Sequence, residues 1–571
     1  MRNKFALSLL FIIIAGFLAV AGRCFYLQHY RADYYYQTSQ KSQKSTFLER
    51  PRRGAILDCR GKILAASYKV DTVFAEPRII NELNKTADSL SEIIGISSTE
   101  IARSILTSRN PGYAAIITDA KLNDEQRKQI LKLYGIGIES RWKRFYPLGS
   151  VGAHVIGFTG TEEQGLAGLE LKYDKVLNGV AGKSTFFSDA ARRPVRLGQC
   201  ESFAQDGADI ILTLDATIQE FTHSALMKQF KAFEAESAVA MVMDPYTGAV
   251  LSMVSLPDFD PANIGDADKN QLGNHILSDP YEPGSIFKPV IAAWAIETGS
   301  IDKDETIFCE NGHYSGKGFG SIGEYRPGGY GNLTISGIIS HSSNIGMAKI
   351  GQKMGPAKLY EGIKFFGFGR KTDIDLPGEE PGVVWPLDKW TGYSVARVPF
   401  GHELSVTAMQ MVCAFCTIAN DGKIIKPHLA KAIVSEAGQK IELKEPGRTG
   451  GFVISEKTSR WMVRKAMVEV VTEGTGKRAA LKKWQVWGKT GTANIAGKNI
   501  RGYDEENYVA SFIGGAPPEK PAVVVLVSIR KPNKSLGKGY AGGAVAAPAA
   551  KEILENTLTY MKIKGKPDKE N

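Results

Sequence analysis

The sequence predicts an α+β protein whose main sheet is assembled from two distant stretches of chain. Three observations carry that reading. Strand-like patterning occupies residues 210–214 and 237–257, helical patterning fills most of 285–420, and strands return after Trp484. Two β blocks that bracket a helical insertion must meet in one sheet, leaving the insertion as a helical lobe beside it. At 571 residues the chain has room for more than one domain, and its 43% apolar content is ordinary for a globular protein.

In chain order, Arg2 and Lys4 precede an apolar run from Phe5 to Gly22 that only Ser8 interrupts. These 18 residues would rise about 27 Å as a helix, close to a bilayer core. The tyrosines at 26, 30, 34, 35 and 36 follow like an interfacial belt. Residues 1–28 therefore read as a cytoplasmic stub and membrane anchor, with the basic end inside and everything after it outside. Ala19-Val20-Ala21 offers the alternative of a signal-peptidase site. Residues 37–52 are polar and basic and read as a linker. RGAILDCRGKILAAS (53–67) has the pattern of a short strand and a turn, with Gly54 and Gly61 flanking it. This segment opens a first globular domain, and linker and domain together are expected over 29–205.

A second, larger domain is expected over 206–563, followed by a polar tail, 564–571. It starts with the strand at 210–214 and an amphipathic helix over 216–233. A hairpin turning at Pro245-Tyr246-Thr247-Gly248 comes next. WQVWGKTGTA, YVASFIGGAP and PAVVVLVSIR supply the later strands, and 547–563 supplies a closing helix.

Within PYEPGSIFKPVI (280–291), Ser285 precedes Lys288 by three residues at the start of an apolar helix. Residues i and i+3 share a helical face, so the amine can reach the hydroxyl. A serine becomes a nucleophile when a neighbouring base takes its proton, and a desolvated lysine can serve. The spacing alone is common, since Ser140/Lys143 and Ser535/Lys538 share it. Two further motifs single out Ser285. Ser342 and Asn344 form an S-x-N in ISHSSNIGMA, and Lys489, Thr490 and Gly491 form the only K-T-G, followed by Thr492. Serine–lysine acyl transfer needs a second hydroxyl, an orienting amide and a cation for an anionic substrate group. The three motifs supply these in order along the chain. Ser108/Asn110, a second S-x-N, lies upstream of any plausible nucleophile.

On these motifs the sequence resembles a class B penicillin-binding protein, a monofunctional peptidoglycan D,D-transpeptidase, almost end to end. RGAILDCRGKILA is similar to the family's pedestal, or dimerisation, signature, with Cys59 and Arg60 where the family has Arg-Asn. RFYPLGSVGAHVIGF, GLAGLELKYDKVLNG, FDPAN, EGTGKRA and YAGGAVAAP also resemble family segments. VPFGHELSVTAMQM departs from a common F-G-Q-G at His402 and Glu403, neither of which is assigned to the chemistry.

The resemblance implies the penicillin-binding transpeptidase fold, an antiparallel five-stranded sheet with flanking helices and an all-helical lobe. The implied substrate is a stem peptide ending in D-Ala-D-Ala, with an amine acceptor from a neighbouring strand and covalent inhibition by β-lactams. Ser285 is then the nucleophile and Lys288 the base, while Ser342 and Asn344 relay the proton and hold the peptide amide. Lys489 with Thr490 and Thr492 holds the terminal carboxylate, and Gly491 keeps side-chain bulk away from the substrate backbone. No cofactor and no metal is implied. Residues 37–52 leave no room for a glycosyltransferase, so the expected partners are a separate FtsW/RodA-type polymerase and divisome membrane proteins in the inner membrane. The match at L-A-x-S and the length favour the division type (FtsI/SpoVD-like), with the elongation type as the alternative.

The formal charge of +11 suits an anionic surface, and no motif points to nucleic acid. Cys413 and Cys416 sit in the apolar run AMQMVCAFCTIA and read as buried small residues. His154, in an apolar stretch without partners, reads as structural. A serine β-lactamase would add a deacylation base such as E-x-x-x-N, and none occurs between Ser342 and Lys489. A β-lactam sensor remains a further alternative.

Overall fold

The computed structural model describes residues 2–188, 194–443, 451–496 and 503–566. The chain forms two compact units, one of Met1–Arg52 with Gly179–Gly207 and one of Arg53–Asn178 with Ala208–Asn571. In the first unit the helix Arg2–Phe25 runs into a π-helical turn, Tyr26–Tyr30. Among the described residues this is the one helix long and apolar enough to cross a membrane. The helix Ala32–Gln43 follows, and then a three-stranded sheet of Lys44–Glu49, Gly182–Ser188 and Pro194–Ser202. The stretch expected to be a linker thus carries a strand. Its partner, 182–188, lies too far along the chain for local composition to reveal.

In the second unit a seven-stranded sheet contains Ile56–Leu57, Ile63–Ala75, Ala114–Ala120 and Ile136–Phe145. Asp209–Leu212 joins it, parallel to Ile56–Leu57 and antiparallel to Ala430–Val434. The first strand of the expected catalytic region therefore pairs with the pedestal. Arg53 and Arg144 close over Glu170 beneath this sheet, at 2.7 Å from its two carboxylate oxygens. Asp58 ties down the signature turn by accepting from the N–H groups of Arg60 and Lys62 at 2.8 Å.

The other large sheet is antiparallel and five-stranded. Its strands are β1 (Ser237–Met243), β2 (Val250–Leu256), β3 (Trp487–Ala496), β4 (Tyr503–Ala516) and β5 (Val523–Arg530), in the order β2-β1-β5-β4-β3. Every residue of β1 is buried, and alternate side chains serve two cores. Ala238, Ala240 and Val242 face the helices Ala216–Ala232 and Ala547–Tyr560. Val239, Met241 and Met243 face the helical lobe. Each fully buried Val or Met contributes about 1.5–3 kcal/mol, which ties this strand firmly to both layers.

The lobe is built from α1 (Lys288–Glu297), α2 (Ile335–His341), α3 (Asn344–Phe365) and α4 (Ala408–Ala419), with α3 kinked at Gly355-Pro356. α4 is buried throughout, and burial pushes the Cys413 and Cys416 thiols far above their usual range, as befits inert packing residues. His154 is also buried, 2.7 Å from the Gln271 carbonyl, and desolvation lowers it to about 4.

Candidate active site

Ser285 sits on a 3₁₀ turn, Gly284–Phe287, that runs directly into α1. Gly284 has φ +56° and donates its N–H to Gly401 O at 3.1 Å, a conformation and a close approach that favour glycine. Ile286 and Phe287 are fully buried and anchor the turn, leaving Ser285 half-buried at the cavity. Side chains at i and i+3 eclipse in a 3₁₀ turn, so Lys288 follows Ser285 on the same face.

The Lys288 amine is fully buried, and its three hydrogen bonds all cross to the facing segment. They run to Ser342 O (2.5 Å), Asn344 Oδ1 (2.7 Å) and Ser342 Oγ (3.2 Å), with none to Ser285. Desolvation lowers its pKa to about 7, against an opposing pull from Glu324. Lys489, also fully buried, donates to Ser342 Oγ and Thr490 O, each at 2.9 Å. Burial and then the Lys288 charge hold it well below the usual lysine value. Two amines on one hydroxyl oxygen in a dry site disfavour both being charged, so Ser342 lies between groups that can exchange a proton.

Ser342 is held at φ +61°, ψ +40°, just past the end of α2. A non-glycine residue there stores about 1–2 kcal/mol of strain. Ser343 caps α3 by accepting from Gly346 N at 2.9 Å. Asn344 Nδ2 donates to Gly323 O at 3.1 Å, and with Oδ1 on Lys288 the amide keeps one donor and one acceptor position for a ligand.

On the edge strand β3, Thr490 Oγ1 lies 2.5 Å from Thr475 Oγ1, and Thr492 Oγ1 accepts from Gly542 N at 3.2 Å. Those partners come from the EGTGKRA and YAGGAVAAP segments, whose resemblance alone gave them no role. Ser285, Ser342, Asn344, Thr490 and Thr492 line one cavity of about 790 Å³, within the range of ligand sites. Lys288 and Lys489 stand behind that wall. Gly491 is also outside it: a Cβ there would meet Ile286 Cγ2 at 2.9 Å, so the glycine admits the Ser285 turn against the strand.

His402 lines the same cavity, and its Nδ1 lies 3.2 Å from Glu282, three residues before the serine. Glu403 N donates to Glu282 at 3.0 Å. His402 through its ring and position 403 through its backbone N–H therefore brace the turn that carries Ser285. Sequence reasoning also missed Glu324, whose carboxylate binds the start of α3. No group of three or more His, Cys, Asp and Glu able to hold a metal occurs among the described residues.

A serine turn abutting the edge of a five-stranded antiparallel sheet, with two buried lysines meeting on a second serine, defines a serine–lysine acyl-transfer class. Family comparison places the chain within it. The description "Penicillin binding protein transpeptidase domain" matches residues 238–555, and "Penicillin-binding Protein dimerisation domain" matches 48–212. The chain belongs to the class B penicillin-binding proteins and is a penicillin-binding transpeptidase. It is 33% identical to stage V sporulation protein D of Bacillus subtilis, over 97% of this chain and 86% of that one. It is 29% identical to the peptidoglycan D,D-transpeptidase FtsI of Escherichia coli, over 90% and 84% of the two chains. Among solved structures, penicillin-binding protein 3 of Mycobacterium tuberculosis complexed with aztreonam superposes with TM-score 0.69 at 27% identity, covering 91% of this chain and 98% of that one.

Proposed function

We propose that this chain crosslinks peptidoglycan stem peptides at the division septum, by D,D-transpeptidation through a Ser285 acyl-enzyme. The observation that carries the reading is the convergence of Ser285, Ser342, Asn344, Thr490 and Thr492 on one cavity in front of an amine held near neutrality. Neutral Lys288 takes the Ser285 proton as Oγ attacks the penultimate carbonyl of D-Ala-D-Ala. The C–N bond breaks, and Ser342, 3.2 Å from that amine, passes the proton to the departing D-alanine. Thr490 and Thr492 receive its terminal carboxylate, with Lys489 behind them, and Asn344 orients the peptide. The N–H groups of Ser285 and Thr492 form the oxyanion site, each such donor typically supplying about 3 kcal/mol. An amine from a second stem peptide then attacks the ester and releases Ser285.

The apolar N-terminal helix serves as a single-pass anchor with its basic end in the cytoplasm. The polymerase partner is of FtsW/RodA type, met together with divisome membrane proteins through the anchor and pedestal. A fluorescent fusion gathering at midcell supports the septal role, and an even lateral distribution refutes it. β-Lactams acylate the same serine. Their leaving group stays tethered and keeps the acceptor's path blocked, so release is slow.

The direct test is labelled penicillin on the folded full-length protein. Ser285→Ala abolishes labelling, and Lys288→Ala nearly does. Labelling that survives in folded Ser285→Ala overturns the assignment, and hydrolysed penicillin accumulating within seconds makes the protein a β-lactamase.

A further inference from the structure

The S-x-N segment has to hold a strained serine and a helix start in register with Lys288, and its own residues do only part of that. The first turn of a helix leaves four N–H groups without intrahelical partners. Ser343 satisfies the Gly346 N–H. Those of Asn344 and Ile345 go to a single carboxylate twenty residues back, Glu324, at 2.9 and 3.1 Å, and the Ser343 hydroxyl donates to it as well. The neighbouring Gly323 carbonyl takes the Asn344 side-chain amide at 3.1 Å. Gly323 ends a small hairpin, His313–Gly316 with Gly320–Gly323, and Glu324 follows it directly, so a separate piece of structure grips the motif.

Glu324 is also the single carboxylate among the described residues lining the active-site cavity. The titratable groups that face it are Lys288, Cys309 and Tyr330. Lys288 in turn faces Lys489 and the polar atoms of Ser342 and Asn344.

We infer that Glu324 is a positioning residue for acylation: its carboxylate clamps the start of α3 so that Ser342 and Asn344 meet the Lys288 amine, and it supplies the negative charge which that amine faces. The clamp opposes the strain at Ser342, because Ser343 and Asn344 cannot swing away while three donors converge on one carboxylate. The charge has a separate, measurable consequence. Burial favours neutral Lys288 and Glu324 favours the ammonium, so the carboxylate sets where the base loses its proton.

The inference rests on the acyl-transfer reading, and its test separates the two. The acylation rate constant of the full-length protein with a fluorescent penicillin is measured from about pH 5.5 to 9, a span that brackets the Lys288 transition. In the wild type the rate rises with pH as Lys288 loses its proton. Glu324→Gln removes the charge and keeps one acceptor oxygen. Its midpoint moves down by about half a pH unit or more, and its plateau falls about tenfold, equivalent to about 1.4 kcal/mol of lost positioning. Glu324→Asp keeps the charge but is one methylene short, so the wild-type midpoint is retained with a lowered plateau. An unmoved midpoint in Glu324→Gln overturns the inference whatever the plateau does. If that variant does not fold, a Glu324→Asp protein with a wild-type plateau overturns it instead. A wild type that takes no label at all sinks the acyl-transfer reading, a distinct result.

Discussion

Two regions of this protein bury positive charge, and they treat it in opposite ways. Under the pedestal sheet, Arg53 is fully buried and spends its guanidinium on Glu170 Oε2 and Asp174 Oδ1, both at 2.7 Å, and on Glu170 O at 2.8 Å. Arg144 completes the knot on the other Glu170 oxygen at 2.7 Å. At the active site Lys288 and Lys489 are just as buried, yet their hydrogen bonds end on neutral oxygens. Arginine stays charged in any protein environment, and fork-shaped pairing with carboxylates fixes geometry. Lysine shifts its pKa when desolvated and can give up its proton. The paired guanidiniums keep their charge, whereas the two amines, with no carboxylate in hydrogen-bond contact, are free to lose theirs.

The largest effect expected from breaking this contrast is in the pedestal. Glu170→Ala takes a carboxylate from two buried guanidiniums and leaves Arg53 only Asp174, and loss of one partner from such a cluster costs about 3–5 kcal/mol. Urea denaturation of the purified protein should show that loss, while any protein still folded keeps its penicillin labelling per molecule. A change below about 1 kcal/mol, the range of a surface pair, would mean the knot is solvated and the contrast false.

How legible each region was follows from the same chemistry. The residues proposed for catalysis were readable because each motif is local: Ser285 to Lys288, Ser342 to Asn344, and Lys489 to Thr492 each span a turn or a few strand positions. The five-stranded sheet was readable because hairpin and strand runs alternate or are wholly apolar. Arg53 was visible only as part of a signature, since its partner Glu170 lies 117 residues on. Glu324 was hidden at the end of a glycine-rich stretch with no periodicity, and its role exists only through bonds to α3. The burial of Lys489 behind Ser342 and the loan of Asp209–Leu212 to the pedestal sheet are likewise tertiary facts. Local pattern carries chemistry and strand identity, whereas depth and long-range partners emerge only on folding.

A second, smaller effect sharpens the active-site half. Lys288 titrates near 7 in the folded protein and at its ordinary 10.5 when unfolded. Between those values the unfolded chain binds more protons, so the stability assignable to this site rises with pH across the window and is lowest below pH 7. Lys288→Met removes that titration. The wild-type stability minus that of the variant should climb by on the order of 3 kcal/mol between about pH 6 and 10, because each pH unit inside the window adds at most about 1.36 kcal/mol. Chemical denaturation at several pH values measures it. A flat difference would remove the depressed amine, and with it the base available at neutral pH.

The smallest effect is expected at Ser140, which tests whether spacing or setting makes the pair proposed for catalysis. Ser140 and Lys143 have the same S-x-x-K spacing as Ser285 and Lys288, but they lie on the strand Ile136–Phe145. Strand side chains alternate, so i and i+3 project to opposite faces, whereas in a 3₁₀ turn they eclipse. The two side chains accordingly have different partners: Ser140 Oγ donates to Asp71 Oδ1 at 2.6 Å, and the Lys143 amine donates to Asp119 Oδ2 at 2.6 Å. This lysine keeps its carboxylate, as the pedestal arginines do, and is turned away from Ser140. Ser140→Ala removes one donor from the buried Asp71 carboxylate, which keeps its Arg127 ion pair. The expected cost is about 1 kcal/mol of stability, with penicillin acylation at the wild-type rate. Slower acylation in a folded Ser140→Ala protein would show that the pedestal reaches into the chemistry, and the separation between the two buried charge clusters would fail.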